Sequence, residues 1–398
     1  MSTRAPRAAR VARTGRGGPA VTDAAPAKLD ALTGIRIIAA LWVVVFHFRG
    51  NLATEFDSYV YIAPVVEYGE LGVDLFFTLS GFIIGLVYAR RMAERWSTSL
   101  TLRFWWARFI RLWPAYAATL LLVAAWHFGL RLLGLHDPVA PRDLSLGSFL
   151  RQLTMVVQWT EPDSDRLTWN GPAWTVSAEV LAYIVFPVLA LLTVRYLDRL
   201  PTALLVVLSV AWTSPLIASA ILRGSLYAPW SWLLRIGSCF IAGYVMFFVY
   251  ERLRSAPAAR RYGGVVFVSA SALFVALMYA AALLHTHVLG FVGIALFPIM
   301  IGALSVDGSA VARFLSTRWM VLGGTISYSV YLIHMPVIEP IWFLQGYVSW
   351  LAPGTVGSKT AFLLAPVLVL LAGYALWRWV EEPCRGALRD LWRRPTAR

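Results

Sequence analysis

Charged residues are scarce in this chain of 398 residues. Only 14% of the residues are charged, whereas soluble domains typically have about 25%. Cysteine is also rare, and the two cysteines lie far apart along the chain, Cys239 within an apolar block and Cys384 near the C-terminus. A disulfide framework is therefore not expected. The longest connection between apolar blocks, residues 135–172, is too short for a separate soluble domain.

Long apolar runs are what the chain has instead. Hydrophobic residues make up 59% of it, and the mean hydropathy is +0.66. The runs are roughly 20 residues long, enough for a helix to cross a hydrocarbon layer of about 30 Å, and they lack the alternation of a membrane barrel. The sequence predicts an all-α polytopic membrane bundle of about ten transmembrane helices, over residues 33–51, 70–89, 112–134, 173–194, 202–222, 230–250, 263–284, 288–305, 320–345 and 360–380.

The distribution of basic residues predicts the orientation of the bundle. If the N-terminus is cytoplasmic, the cytoplasmic segments hold 26 of the 35 lysines and arginines, as the positive-inside rule requires. Both termini are therefore predicted to be cytoplasmic, and topology explains the net charge of +14 without a nucleic-acid partner. The predicted organisation is a disordered basic tail (1–28), a transmembrane domain (29–384) and a cytoplasmic C-terminal tail (385–398).

The first predicted span, RIIAALWVVVFHF, contains two ionisable residues, Arg36 and His47. Eleven residues correspond to three helical turns plus about 20°, so the two side chains share one face about 16 Å apart along the axis. Ionisable groups inside a span cost a few kcal/mol unless they face the bundle interior, which makes both candidates for function. Alternatively, Arg36 extends to lipid headgroups and His47 bonds to a neighbouring carbonyl.

Other spans carry polar groups at comparable depth: Asp74, Glu179, Tyr328 and His334. Carboxylates and histidines in such places suggest a shared polar cavity. A histidine accepts a hydroxyl proton at neutral pH, and a carboxylate behind it can hold the imidazole in the right tautomer. The sequence therefore predicts His47, Glu179 and Asp74 as catalytic residues. Tyr328 and His334 are predicted to bind substrate.

A predicted cytoplasmic segment, RFIRLWPAY, contains Arg108 and Arg111 on one side of a helix. Guanidinium groups grip phosphate through paired hydrogen bonds, although charge at a helix end is also a common consequence of topology. Together with Arg36 and His47, the pair suggests a donor whose phosphates lie on the cytoplasmic side and whose reactive end enters the bundle. No metal site or bound cofactor is predicted.

Six stretches in this order resemble the acyltransferase 3 family of integral-membrane O-acyltransferases, over about residues 28–388. Any one of these stretches alone is weak evidence for the family, whereas all six in this order on ten predicted spans are specific evidence for it. The stretches are Arg36 followed by ten residues and then His47, GVDLFFTLSGF at 72–82, RFIRLWPAY at 108–116, PAWTVSAE at 172–179, ISYSVYLIHMP at 326–336 and EEP at 381–383.

The resemblance implies a donor, a class of acceptor and a location. The co-substrate would be acetyl-CoA or another acyl-CoA, bound by Arg36, Arg108 and Arg111, and the protein would be a multi-pass protein of the cell membrane in contact with lipid. The acceptor would be a hydroxyl of a carbohydrate, cell-surface glycan, lipid-linked sugar or secondary metabolite such as a macrolide. The chain is similar to the stand-alone type without a fused SGNH domain. It departs from the family at Val180, where members often have a second acid.

Two alternatives stay open at this point. The same intramembrane acids and histidines suit a proton-coupled transporter or flippase of a polar or lipid-linked substrate. Within the enzyme interpretation, His47 either activates the acceptor for direct transfer or carries the acyl group covalently.

The glycines of the second predicted span, Gly72 and Gly81, and the neighbouring Ser80 are interpreted as small residues that allow close helix packing.

Overall fold

A computed structural model describes residues 29–135, 142–162 and 168–393 of the chain. These ranges contain helices and turns but no strand. Ten helical stretches are long and apolar enough to cross a membrane, which confirms the predicted all-α, polytopic fold. The predicted tail at 1–28 and the last five residues, 394–398, lie outside the described residues.

The helices are numbered in chain order. In the first half of the chain they are α1 (Asp30–His47), α2 (Arg49–Glu55), α3 (Ala63–Val66), α4 (Leu71–Ala93), α5 (Thr98–Leu132), α6 (Leu146–Leu153), α7 (Ala173–Leu197) and α8 (Thr202–Ala211). In the second half they are α9 (Ser214–Arg223), α10 (Ser231–Leu253), α11 (Pro257–Leu283), α12 (Val288–Val292), α13 (Leu296–Val306), α14 (Ala310–Leu315), α15 (Arg318–Gln345), α16 (Val356–Leu376) and α17 (Glu382–Arg393), with a π-helical turn at Trp377–Glu381 before α17.

The third predicted span is wrong at its start. The sequence predicts a helix over 112–134, whereas α5 is a single helix of 35 residues that begins at Thr98 and continues through Pro114. Arginine lowers the local hydropathy but is a good helix former. The hydropathy pattern therefore predicted a helix that begins after the arginine-rich part of α5. Arg108 and Arg111 therefore belong to a long spanning helix and not to a connection.

The C-terminal segment that the structure describes ends in helix α17. Part of the predicted tail, 385–398, is helical, because α17 continues to Arg393. Cys384 is exposed on this helix and Cys239 is buried in α10, and both cysteines are free, as expected.

Helix α1 packs against both α4 and α15. Helices α1 and α15 are parallel: Gly324 packs against Thr33 near the start of both helices, and the His334 ring contacts the His47 ring farther along. A Cβ atom on Gly72 would lie 2.7 Å from the Ala39 carbonyl oxygen, so the first turn of α4 packs against the middle of α1. This packing confirms the interpretation of Gly72 as a residue that allows close approach.

Helices α4 and α10 approach each other through two glycines. A Cβ atom on Gly81 would overlap the carbonyl oxygen of Phe240, and a Cβ atom on Gly243 would overlap the carbonyl oxygen of Thr78. Small residues let two membrane helices pack backbone to backbone, where dispersion contacts are densest. The interpretation of Gly81 as a packing residue is therefore confirmed.

Replacing Gly243 with alanine is expected to separate α4 from α10 and to lower the free energy of unfolding by about 1–3 kcal/mol. Gly237 on the same helix is the matched control, because a Cβ atom there meets nothing within 4 Å. Gly237→Ala should be neutral or slightly stabilising, since alanine favours the helix. Thermal unfolding of the detergent-purified variants measures the difference, and equal melting temperatures for the two variants would contradict the close contact.

Candidate active site

A cavity of about 180 Å³ lies between α1, α4, α5, α7 and α15. It is partly open, since the Arg111 side chain is 21% exposed. Apolar side chains of α1, α4 and α7 form much of its wall. The polar and charged residues that line it are Thr33, Arg36, Ser80, Arg108, Arg111, Thr175, Glu179, Tyr183, Ser327, Tyr328 and Tyr331.

The structure brings the three predicted arginines together in this cavity. Arg36 comes from α1, and Arg108 and Arg111 come from α5. The Nε atoms of Arg36 and Arg108 are buried and have no hydrogen-bond partner among the described residues. Arg36 therefore faces the cavity and does not extend to lipid headgroups. Guanidinium donors without partners in a buried place are costly, and an anion bound in the cavity would satisfy them.

Arg111 differs from the other two arginines because it has a counter-ion, Glu381. The fully buried Glu381 carboxylate pairs with Arg111 and accepts a hydrogen bond from Ser329 Oγ at 2.7 Å through its other oxygen. Glu381 belongs to the π-helical turn, a distortion often found at functional sites. The sequence indicated Glu381 only as part of the EEP stretch, because the partner of a carboxylate 270 residues away cannot be inferred from spacing.

Tyr328, which the sequence predicts to bind substrate, lines the cavity, but its hydroxyl already has a hydrogen-bond partner. The hydroxyl donates to the Leu112 carbonyl oxygen at 2.8 Å, and Arg111 Cζ lies 5.1 Å from the centre of the Tyr328 ring. The aromatic face thus supports the guanidinium group through a cation–π contact. Contact of the hydroxyl with substrate stays a prediction.

Glu179 also lines the cavity, but its carboxylate is not against His47. One oxygen accepts hydrogen bonds from Ser80 Oγ at 2.7 Å and from the Tyr183 hydroxyl. Ser80 is therefore a polar residue of the cavity as well as a small residue of α4, which corrects its interpretation as a packing residue alone. Glu179 supplies negative charge among the arginines of the cavity.

His47 is oriented by its own helix. Its Nδ1 lies 2.8 Å from the carbonyl oxygen of Val43, one turn earlier in α1. A carbonyl oxygen only accepts hydrogen bonds, so in the neutral ring Nδ1 carries the proton and Nε2 has a free lone pair. The expectation that a carboxylate orients this ring is thus corrected: the Val43 carbonyl takes that position. The lone pair of Nε2 is what a general base requires.

His334 of α15 faces the His47 ring, with 4.6 Å between the ring centroids. Its Nδ1 bonds to the carbonyl oxygen of Tyr331, which fixes the same tautomer. Its buried Nε2 has no hydrogen-bond partner among the described residues. We call His47 and His334 the histidine pair. The structure therefore brings two of the predicted site residues into contact, each with its Nδ1 bonded to a backbone carbonyl oxygen and its Nε2 as the unprotonated nitrogen of the neutral ring.

Asp74 lies apart from the histidine pair, in a buried ion pair with Arg235 of α10. Its carboxylate accepts from Arg235 Nε at 3.0 Å and from Arg235 Nη2 at 2.7 Å, and both side chains are fully buried. Next to this pair, before α4, burial raises the pKa of the Glu70 carboxyl above its ordinary value. The sequence did not identify Arg235 as the partner of Asp74, although an arginine inside an apolar span signals a buried counter-ion.

A row of neighbouring groups connects the arginines to the histidine pair. Arg36 Cζ lies 5.8 Å from the centre of the Phe76 ring, and the Phe76 and Tyr331 ring centroids are 6.4 Å apart. The Tyr331 ring lies 5.6 Å from the His334 ring, which contacts His47. Phe76 and Tyr331 line the cavity, whereas the histidine pair lies just beyond them. The arginines and the histidines thus occupy the two ends of one buried row.

Two relatives of this chain are named acyltransferases. The chain is 26% identical to the acyltransferase MdmB of Streptomyces mycarofaciens over 399 residues, 93% of this chain and 94% of MdmB. It is 23% identical to the peptidoglycan O-acetyltransferase OatA of Listeria monocytogenes over 342 residues, 78% of this chain and 49% of OatA. No solved structure matches. The sequence profile of the acyltransferase domain of the acyltransferase 3 family matches residues 29–378, and the chain therefore belongs to this family of membrane acyltransferases.

Proposed function

We propose that this protein transfers an acyl group from acyl-CoA to a hydroxyl group of a carbohydrate, a cell-surface glycan or a secondary metabolite, in the cell membrane. The observation that carries the proposal is the pair of buried, unpartnered guanidinium Nε atoms of Arg36 and Arg108, in a cavity that ends beside two histidines. Such donors suit the phosphates of coenzyme A. The family membership supports the acyl-transfer chemistry.

The donor would lie along the row from the arginines to the histidine pair. Its phosphates would contact Arg36, Arg108 and Arg111, and its thioester would point toward Tyr331. Glu179 and Glu381 balance part of the positive charge. The cavity would then retain a net positive charge for the anionic donor, and the Glu381 contact would hold Arg111 in place.

His47 would act as the general base. Its Nε2 takes the proton from the acceptor hydroxyl, whose oxygen attacks the thioester carbonyl carbon. The new C–O bond forms as the C–S bond breaks, and the coenzyme A thiolate leaves and takes the proton back from Nε2. An ester and free coenzyme A are the products. His334 would contact the acceptor or the reacting carbonyl from the other side of the pair.

The acceptor would approach from the histidine end of the row. With the predicted cytoplasmic termini, the arginines lie toward the cytoplasm, where acyl-CoA is available, and the histidines lie farther across the membrane. OatA is named for O-acetylation of peptidoglycan, which supports a glycan as one acceptor class. The single acid at Glu179, followed by Val180, implies that direct transfer here does not need a second adjacent carboxylate.

The donor site is tested by replacing Arg36 or Arg108 with glutamine. Each change is expected to weaken binding of coenzyme A by tenfold or more, because a hydrogen bond to a charged group contributes about 1.5–3 kcal/mol. Isothermal titration of the purified protein with coenzyme A measures the affinity, and release of free thiol from acetyl-CoA with a panel of hydroxyl acceptors measures transfer. Arg103→Gln is the matched control, because Arg103 lies on the same helix but is exposed. Equal affinities in all three variants would reject the donor site.

A further inference from the structure

We infer that Phe76 and Tyr331 form a wall at the end of the cavity and restrict the transferred acyl group to a short one. The inference rests on the proposed function, because it assigns the thioester end of the donor to this part of the cavity. It adds a residue-level cause for acyl-chain selection, which neither the arginines nor the histidines supply.

The position of the two rings carries the inference. Both residues line the cavity, and both rings stand between Arg36 and the histidine pair. The centroid separations along the row, 6.4 Å from Phe76 to Tyr331 and 5.6 Å from Tyr331 to His334, are those of rings in contact. A chain of methylene groups has no free space between rings at such distances, so a long acyl group would have to displace them.

The Tyr331 ring is anchored at its hydroxyl group. Its hydroxyl lies 3.0 Å from Thr175 Oγ1 and donates to the Pro172 carbonyl oxygen at 3.3 Å, which ties α15 to the start of α7. The side chain is buried, with 7% of the residue exposed. Because the hydroxyl is anchored, the ring cannot swing away without breaking buried hydrogen bonds. The Tyr331 part of the wall is therefore rigid. The Phe76 part blocks a long acyl group through the volume of its ring.

A rigid wall has a direct consequence for the donor. A thioester carbonyl that reaches the edge of the wall is close to the histidine pair, and an acetyl group adds only one methyl group beyond the carbonyl. Each further methylene would press on packed rings, and overpacking a closed site is destabilising. The expected specificity is for acetyl-CoA over longer acyl-CoA thioesters.

Binding of a donor series tests the wall without an acceptor. Free coenzyme A, acetyl-CoA, butyryl-CoA and octanoyl-CoA are titrated against the wild-type protein and Phe76→Ala. Wild type is expected to bind octanoyl-CoA about tenfold more weakly than acetyl-CoA, and Phe76→Ala is expected to remove this difference. Affinity for free coenzyme A should stay within about threefold of wild type, because the arginines are unchanged.

Two further variants separate the wall from general loosening of the protein. Thr175→Val removes one of the two groups that anchor the Tyr331 hydroxyl, and the looser Tyr331 ring should reduce the chain-length difference although neither ring is deleted. Phe362→Ala is the matched control: it also removes a buried phenylalanine ring, but one that stacks on Phe48 outside the cavity. Phe362→Ala should keep the wild-type preference for acetyl-CoA.

The outcomes distinguish the wall from the proposed function. If wild type does not bind free coenzyme A, the donor site fails and the wall fails with it. If wild type binds coenzyme A but binds octanoyl-CoA as tightly as acetyl-CoA, the wall is rejected and the donor site stands. The wall is also rejected, and the donor site stands, if Phe76→Ala and Thr175→Val bind coenzyme A normally and keep the full wild-type preference for acetyl-CoA.

Discussion

Replacing His47 with alanine is expected to lower kcat/KM for acyl transfer by about a thousandfold, because general-base catalysis contributes about 10²–10⁴-fold to such reactions. The His47 Nε2 atom is the proposed proton acceptor, since the Val43 carbonyl holds the proton on Nδ1. Thiol release from acetyl-CoA in the presence of an acceptor measures the loss. Binding of coenzyme A should remain, because the arginines that would hold it are untouched.

The control for His47 is His285, an exposed histidine in the connection between α11 and α12. His285→Ala should transfer acyl groups at the wild-type rate. Wild-type activity in His47→Ala would reject the base. Incubation of wild type with labelled acetyl-CoA and no acceptor separates the two mechanisms: stable label on His47 would support an acyl-histidine intermediate over direct transfer.

Replacing Asp74 with alanine is expected to lower the free energy of unfolding by about 3–5 kcal/mol, because Arg235 would be left as a buried charge without its partner. This is the largest stability effect we expect from a single change in the protein. Thermal unfolding in detergent, followed by the loss of the monodisperse peak in size-exclusion chromatography, measures it. A melting temperature equal to that of wild type would contradict the ion pair.

A double variant decides whether Asp74 also takes part in catalysis. Asp74→Leu combined with Arg235→Met removes both charges and should recover much of the lost stability, since apolar replacements of a buried pair are often neutral or stabilising. If Asp74 only pairs with Arg235, the double variant should keep acyl transfer. A stable but inactive double variant would instead support the catalytic role predicted from the sequence.

The sequence determined the helical membrane architecture and most of the site residues. A bilayer requires apolar runs of about 20 residues with internally satisfied backbones, so composition and run length were sufficient to predict ten spans. Ionisable groups inside such runs are costly, which made Arg36, His47, Glu179 and His334 visible as candidates. The prediction failed at the start of α5, where arginines interrupted the hydropathy pattern without interrupting the helix.

Only the tertiary structure decided which groups meet. Asp74 pairs with Arg235 across 161 positions, Glu179 bonds to Ser80 across 99, and Arg111 pairs with Glu381 across 270. A single sequence gives the depth of each side chain but does not say which helices are neighbours, so the partner of a carboxylate could not be inferred. Helix packing sets those neighbours. It placed Asp74 in an ion pair with Arg235 and Glu179 among the arginines of the cavity. His47 instead bonds to the backbone of its own helix and contacts the His334 ring.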